Sequence, residues 1–224
     1  MRLVTSSPRD PLDIHSVRRA YDTVANDYAT YLPDTRAEAS LDLAMIDAFI
    51  EAVRASPDVR VLDAGCGTGR MSRYVADRRC RVEGVDLSSN MVAMARRDHG
   101  DLVFTVGSLT DLPYPNDQFA GVMLWYSIIH TPPSGQQQIF DEVARVLRPG
   151  GHVLVGFQAG EGRQDLSQAY RQFGHEILLE RHLYTADQVA AKMLAAGLSE
   201  VCRLVRRAQG MERDYQAVLL AKAD

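Results

Sequence analysis

The sequence predicts an α/β fold: a doubly wound, mainly parallel seven-stranded sheet with helices on both faces and an antiparallel strand pair at its C-terminal end. Three observations predict it. From residue 59 onward, short β-branched runs alternate with helical stretches, the pattern of a parallel sheet assembled from crossover units. A glycine-rich turn, Gly65, Gly67 and Gly69, follows the first of those runs, at the position where open α/β sheets bind ligands. The last two strand-like segments, 198–205 and 215–221, have no helix between them, so they lack a crossover and pair antiparallel.

The elements follow in order. Asp10-Pro11 opens a first helix as capping residue and N1 proline, and Ile14, Val17, Tyr21, Val24 and Tyr28 continue it as one apolar stripe. Pro33-Asp34 restarts the pattern, with Leu41, Met45, Ala48 and Ala52 on the apolar face of a second helix that stops before Pro57. Strands are expected at 59–63, 81–86, 102–106, 119–124 and 152–157, with helices at 70–79, 89–98 and 135–147 between them. The last of these helices turns Ile139, Phe140, Val143 and Val146 inward and ends at Pro149-Gly150-Gly151. Right-handed crossovers then set the topology. Thr185-x-x-Gln188 is a capping box for a helix through Ala196, closed by Gly197.

Composition narrows the function classes. A chain of 224 residues, 46% hydrophobic and 24% charged, suits one globular domain with its own core. The net charge is −4, and the arginines are interleaved with acidic residues rather than gathered on one stripe, which argues against nucleic acid as a partner. The densest basic runs, 78–81 and 203–207, are expected on solvated surface. Cys66, Cys80 and Cys202 show no C-x-x-C spacing, so neither a disulfide nor a zinc framework is expected. No apolar leader and no membrane-length apolar run is present, which makes a cytoplasmic protein without a membrane partner the default.

VLDAGCGTG, residues 61–69, is a buried strand running into a glycine turn at the start of a helix. Glycine there allows close backbone approach to a ligand. A dinucleotide site uses G-x-G-x-x-G, whereas the spacing here is G-x-G-x-G with Arg70 where a third dinucleotide glycine would stand. Asp86 ends the next strand, and a carboxylate there can accept from both hydroxyls of a ribose bound over the loop. The alternative is that Asp86 only caps the helix that follows.

With VEGVDLSSNMVAMA, GSLTDLPYPNDQFAGVMLWYS and RVLRPGGHVLVGF following VLDAGCGTG in order, the chain resembles the class I S-adenosylmethionine-dependent methyltransferases over roughly residues 12–222. The resemblance implies S-adenosyl-L-methionine as cofactor, S-adenosyl-L-homocysteine as product, and methylation of O, N or C of a small molecule, including the substrates of secondary metabolism. It implies that Gly65 and Gly67 bound the methionine part, with Ala64 and Cys66 in the same loop. Asp63 anchors the amino end through backbone or water, Asp86 holds the ribose, and Leu87 and Met91 flank the adenine. Ser108-Leu109 occupies a position where relatives often place an acidic residue against the adenine amine, and Ala120 replaces a common Asp. Trp125 and Tyr126 fall where the family lines the methyl-bearing end. AYDTVANDYATY resembles the N-terminal lid of small-molecule methyltransferases, with Tyr21 and Tyr28 closing over the cofactor. Read without the family, these tyrosines are core aromatics.

The reaction so implied is in-line attack on a sulfonium methyl, aided by alignment and exclusion of water, with no metal required. His130 has a pKa suited to deprotonating a hydroxyl. It could equally be a helix-terminal histidine bonded to a carbonyl ahead of Thr131-Pro132-Pro133. Residues 158–184 are polar and long for a connection and are expected to form the acceptor pocket, with His175 and His182 as candidates to face the substrate. The domain thus reads as one unit, 1–224: a helical lid at 12–55, a cofactor-binding core at 59–157, the insertion at 158–184, and a closing helix and strand pair at 185–224. Two rivals stand beside this reading. One is a protein that keeps the cofactor pocket without methylating. The other is a nicotinamide oxidoreductase, disfavoured by the glycine spacing and by the lack of a hydride-transfer residue pair.

Overall fold

The computed structural model describes residues 14–172, 174–210 and 212–224; the Asp10-Pro11 helix start lies outside them. Two helices lead, α1 (Ile14–Tyr31) and α2 (Ser40–Arg54). The alternating part comprises β1 (Arg60–Ala64), α3 (Arg70–Ala76), β2 (Arg81–Asp86), α4 (Ser89–Asp98), β3 (Val103–Val106), β4 (Phe119–Trp125), α5 (Pro133–Val146) and β5 (Leu147–Ala159). Then come β6 (Gly162–Asp165), α6 (Ser167–Arg171), β7 (Glu180–Leu183), α7 (Ala186–Ala195), β8 (Leu198–Arg206) and β9 (Tyr215–Ala223).

Seven strands form one sheet in the order β3-β2-β1-β4-β5-β9-β8. Its first five members run parallel, and β9 pairs antiparallel with both β5 and β8; the pairing with β8 is the one the missing crossover requires. From β1 the chain winds outward through β2 and β3, then returns to β4 on the other side of β1. That reversal opens a crevice beyond the C-terminal ends of β1 and β4, the switch point where such sheets bind ligands.

Both faces of the sheet are buried, and the strands divide their side chains between them with period two. Val61, Met123, Leu154 and Val218 pack with Ile46, Phe49, Ile50 and Val53 of α2 and Met71 and Val75 of α3. Their chain neighbours Leu62, Val122, Leu124, Val153, Val155 and Leu219 pack with Ile139, Phe140 and Val143 of α5 and Val189 and Met193 of α7. A smaller cluster joins Ala20, Val24 and Ala25 of α1 to Met91 of α4 and to Ile177 and Leu179, which lays α1 across the ends of the strands near the switch point.

Several expectations need correction. Pro33-Asp34 begins not α2 but a separate 3-10 turn, Thr35–Ala37, in which Asp34 accepts from the Arg36 amide. The buried face of α2 is Asp42, Ile46, Phe49, Ile50 and Val53, not the stripe of Leu41, Met45, Ala48 and Ala52. The larger side chains claim the sheet, and a buried carboxylate among them disguises the stripe. Pro149-Gly150-Gly151 lies inside β5: Phe119 pairs with Leu147 and Gly121 with His152, so the segment bulges from the ladder instead of ending a helix. The run 203–207 is not all solvated, because Arg206 is 7% exposed and pairs with Asp42, itself 1% exposed. The antiparallel ribbon of β6 and β7, within the polar stretch 158–184, was not foreseen.

Candidate functional site

The turn after β1 is stitched to the end of β2: the Gly65 and Cys66 amides both donate to the Val85 carbonyl, at 2.7 and 3.0 Å. Gly65 has φ +82°, and a Cβ there would stand 2.2 Å from Cβ of Ser127. Only glycine fits between β1 and the residues leaving β4. Gly67 also has positive φ, but a Cβ on it would meet nothing nearer than the Tyr28 ring at 4.0 Å, so its face is open to the crevice.

Asp86 sits at the end of β2, where one carboxylate oxygen accepts from the Gly67 amide and the other from the Ser88 amide, both at 2.8 Å. The cap of α4 is the Ser88 hydroxyl, which accepts from the Met91 amide. Asp86 therefore braces both the glycine loop and the helix start. Burial pushes its carboxyl above the ordinary range in spite of those bonds. With about four acceptor directions on a carboxylate and two in use, it keeps capacity for hydroxyl donors from the crevice. Below the loop, Asp63 accepts from Ser72 at 2.6 Å. Its other oxygen is buried with no partner, and burial raises its pKa to about 6.

The crevice is a cleft of about 1020 Å³, large beside the roughly 300–1,000 Å³ of ordinary ligand pockets. Of the residues singled out from sequence, it is lined by Tyr21, Tyr28, Gly65, Gly67, Asp86, Leu87, Met91, Ser108, Leu109, Trp125, Tyr126 and His130. Asp63 and Cys66 instead line a small cavity behind the loop; the Cys66 side chain packs with Val92, Ala95 and Phe104, and Ala64 is fully buried. Ser108 spends its hydroxyl locally, on Thr110. His175 and His182, expected to face the substrate, do not line the cleft. His175 bonds Asp27 of α1 at 2.6 Å, and the His182 backbone amide donates to Ile129.

The aromatic wall is held from behind. Trp125 is 6% exposed, meets Tyr126 edge-on with centroids 5.2 Å apart, and donates from its indole nitrogen to Glu38 at 3.2 Å. Glu38 also pairs with Arg70 at 2.5 Å, and both are nearly buried. Tyr126 has φ +55°, a strained conformation for an aromatic residue, and its hydroxyl donates to Gln216 at 2.8 Å. His130 is spanned on both sides: Nδ1 lies 2.6 Å from the Glu180 carbonyl and Nε2 lies 2.8 Å from the Tyr21 hydroxyl. A carbonyl only accepts, so Nδ1 carries the proton and Tyr21 donates to Nε2. Burial, with Arg181 and His182 nearby, pulls the imidazole down to about 4, which keeps it neutral at physiological pH.

At the far end of the cleft Gln158, Gln164, Tyr170 and Arg181 come from the stretch 158–184 expected at the acceptor pocket, while sequence reasoning missed Glu212, Asp214 and Gln216. It also missed Glu38. Arg70 carried a usable signal: a cation at the first position of α3 opposes the helix dipole and calls for a carboxylate such as Glu38. Among the described residues no group of three or more His, Cys, Asp or Glu side chains could hold a metal ion. No described helix is long and apolar enough to cross a membrane.

The loop, the braced carboxylate with spare acceptor capacity, the unpaired Asp63 oxygen and the aromatic wall fit a nucleoside carrying a charged amino-acid tail. Residues 61–151 match a family model described as a methyltransferase domain. The chain is 32% identical over 173 residues to the malonyl-[acyl-carrier protein] O-methyltransferase of Enterobacter lignolyticus, covering 77% of this chain and 65% of that protein. It spans 58% to 65% of the length of the first three curated relatives it matches. Among solved structures, the 1,6-didemethyltoxoflavin-N1-methyltransferase of Burkholderia thailandensis matches with TM-score 0.68 and 19% identity, covering 99% of this chain and 94% of that one. The cyclase SpnF matches with TM-score 0.71 and 20% identity, covering 96% and 97%. At these identities the two structures show the fold alone.

Proposed function

We propose that the chain is a class I S-adenosylmethionine-dependent methyltransferase and that it transfers the methyl group of S-adenosylmethionine to a small-molecule acceptor. The observation that carries the proposal is the Gly67 amide held on the Asp86 carboxylate at the mouth of the sheet's switch point. When bound, the cofactor supplies an electrophilic methyl on a positively charged sulfur.

The chain's own residues do the rest. Asp86 receives the ribose hydroxyls, Leu87 and Met91 flank the adenine, and the face of Gly67 allows close approach of the tail. Asp63, behind the loop, serves the amino end through backbone or water. The rings of Trp125 and Tyr126 stand beside the positive sulfur, worth roughly 0.5–2 kcal/mol, and Glu38 adds negative potential behind Trp125. Helix α1 covers the cleft with Tyr21 and Tyr28 and excludes water. His130 acts as the acceptor that fixes the Tyr21 hydroxyl, a positioning role, since its one lone pair is already engaged. Residues 158–184 form the acceptor end.

The Enterobacter and Burkholderia proteins are named for different acceptors and different atoms, so their names do not select the atom methylated here. The test is incubation with methyl-labelled cofactor and a panel of phenols, amines and carboxylic acids. Label in an acceptor, with S-adenosylhomocysteine formed in equal amount, supports the proposal. Binding of cofactor with no transfer to any member supports a protein that keeps the pocket for other chemistry. A thermal shift with NAD(H) but none with S-adenosylmethionine overturns both.

A further inference from the structure

The acceptor end of the cleft is one continuous hydrogen-bonded wall drawn from separate elements. Tyr126, following β4, donates to the Gln216 side-chain oxygen in β9 at 2.8 Å, and Gln216 Nε2 donates to the Asp214 carbonyl at 2.8 Å. The Asp214 carboxylate accepts from Gln164 of β6 at 3.0 Å and from Nη2 of Arg181 of β7 at 2.7 Å. Nη2 also donates to the Gln164 side-chain oxygen, which stands opposite Arg181 in the ribbon. Both contacts are made by the single nitrogen Nη2. Yet Nε of Arg181 is buried with no partner, and so is Oε1 of Gln158 on β5. Buried polar atoms are almost always paired, and two unpaired ones on residues that line the same cleft point to a ligand.

Two further observations limit what that ligand is. First, the imidazole lining this end has no lone pair to offer: His130 gives its Nδ1 proton to a carbonyl and receives Tyr21 on Nε2. Second, Arg181 spends only Nη2 on Asp214 and Gln164, and its Nε donor is left without a partner. The site thus presents a cation with a free donor and no histidine base. An acceptor oxygen that is already ionised in water at neutral pH meets both conditions. Carboxylic acids, with ordinary pKa values near 4, qualify; phenols, near 10, do not.

Resting on the methyltransferase reading, we propose that Arg181 is the acceptor-recognition residue and that the acceptor is a carboxylate, methylated on oxygen to an ester. The carboxylate oxygen forms a bond to the methyl carbon as the carbon–sulfur bond breaks, and the bonding pair stays on sulfur. The products are a neutral ester and a neutral thioether sulfur, and no proton has to leave the acceptor. Gln158 then pairs with a donor elsewhere on the same molecule.

The test uses the full chain loaded with S-adenosylhomocysteine and titrated with benzoate, hexanoate and monoethyl malonate, each beside its primary amide. The acids are expected to raise the melting temperature and the amides are not. With S-adenosylmethionine instead, the acids become methyl esters detectable by mass spectrometry. Arg181→Gln is expected to weaken acid binding by roughly tenfold or more, the loss of a hydrogen bond to a charged group, with S-adenosylhomocysteine affinity unchanged. Should that variant not fold, Arg181→Lys keeps the pairing with Asp214 and loses the planar donor fork, and the same weakening is expected of it. Amides binding as well as acids, no acid binding at all, or acids binding the variants as tightly as the parent overturns the proposal. Absence of S-adenosylhomocysteine binding is a separate result: it overturns the methyltransferase reading and the proposal with it.

Discussion

The loop carrying Glu212, Arg213 and Asp214 into the cleft is tied to the body of the protein through Arg206, and removing that tie gives a sharp quantitative test. Arg206 donates from Nε to Asp42 at 2.8 Å and from Nη2 to the other Asp42 oxygen, and it meets Glu212 at 2.6 and 2.7 Å. Asp42 is 1% exposed, whereas the Glu212 side chain is 29% exposed. Arg206→Met strips Asp42 of its guanidinium partner in a place water does not reach, which costs about 3–5 kcal/mol. Glu212 can rehydrate and adds little. Asp42→Leu leaves Arg206 still paired with Glu212, so its cost is smaller, about 1–3 kcal/mol. The double variant removes both buried charges together and should lie close to the parent, because an apolar pair of similar size replaces a buried ion pair at little net cost. Urea unfolding of the four proteins gives the coupling energy, expected at about 4 kcal/mol or more with cofactor affinity retained in each. Additive single costs, or an Arg206→Met cost below about 1 kcal/mol, would show that the pair is solvated.

Three other outcomes are expected. The depressed pKa of His130, about 4 against an ordinary 6.5, means that its contribution to stability is full above pH 6.5 and is lost as pH falls toward 4. Across that window the parent should lose about 3 kcal/mol more than His130→Gln, and matching urea-derived profiles would contradict this. Gly65→Ala combines a left-handed backbone, about 1–2 kcal/mol, with a Cβ placed 2.2 Å from Ser127; calorimetric titration should find cofactor binding lost, and normal binding would mean the loop tolerates displacement. Thr185→Ala removes the capping-box hydroxyl that accepts from the Gln188 amide and should lower thermal stability by about 1 kcal/mol without touching the cleft.

What could be read from sequence was what is contiguous in sequence. The glycine turn, Asp86, the β-branched strands and the Thr185 capping box each declare themselves within a few residues, and the structure brings most of the first group to one cleft. The missing crossover before the last strand announced the antiparallel pairing of β8 with β9, but not that β9 would also pair antiparallel with β5. What stayed hidden depends on partners far apart along the chain. Asp42 lies 164 residues from Arg206, so neither looks like a core residue by itself, and the stripe of α2 was misassigned for that reason. Trp125 and Glu38, 87 residues apart, are likewise joined only by folding. The β6–β7 ribbon carries Gly-Arg-Gln-Asp against Glu-Arg-His-Leu, with none of the apolar alternation that marks a strand, because its order comes from ion pairs and from Asp214 rather than from burial. His130 was singled out as a candidate base or a carbonyl-bonded histidine; it lines the cleft, and its bonding partners, Tyr21 and the Glu180 carbonyl, come from elements on either side and set its proton on Nδ1.

The most direct test of the central claim is a calorimetric titration of S-adenosylmethionine into the parent protein and Asp86→Ala. Asp86 is held by two backbone amides with acceptor capacity to spare, and its loss removes charge-assisted hydrogen bonds from a buried floor. The account predicts one-to-one binding by the parent and an affinity roughly 100-fold or more weaker in the variant. Equal affinities, or no binding by the parent, would contradict it.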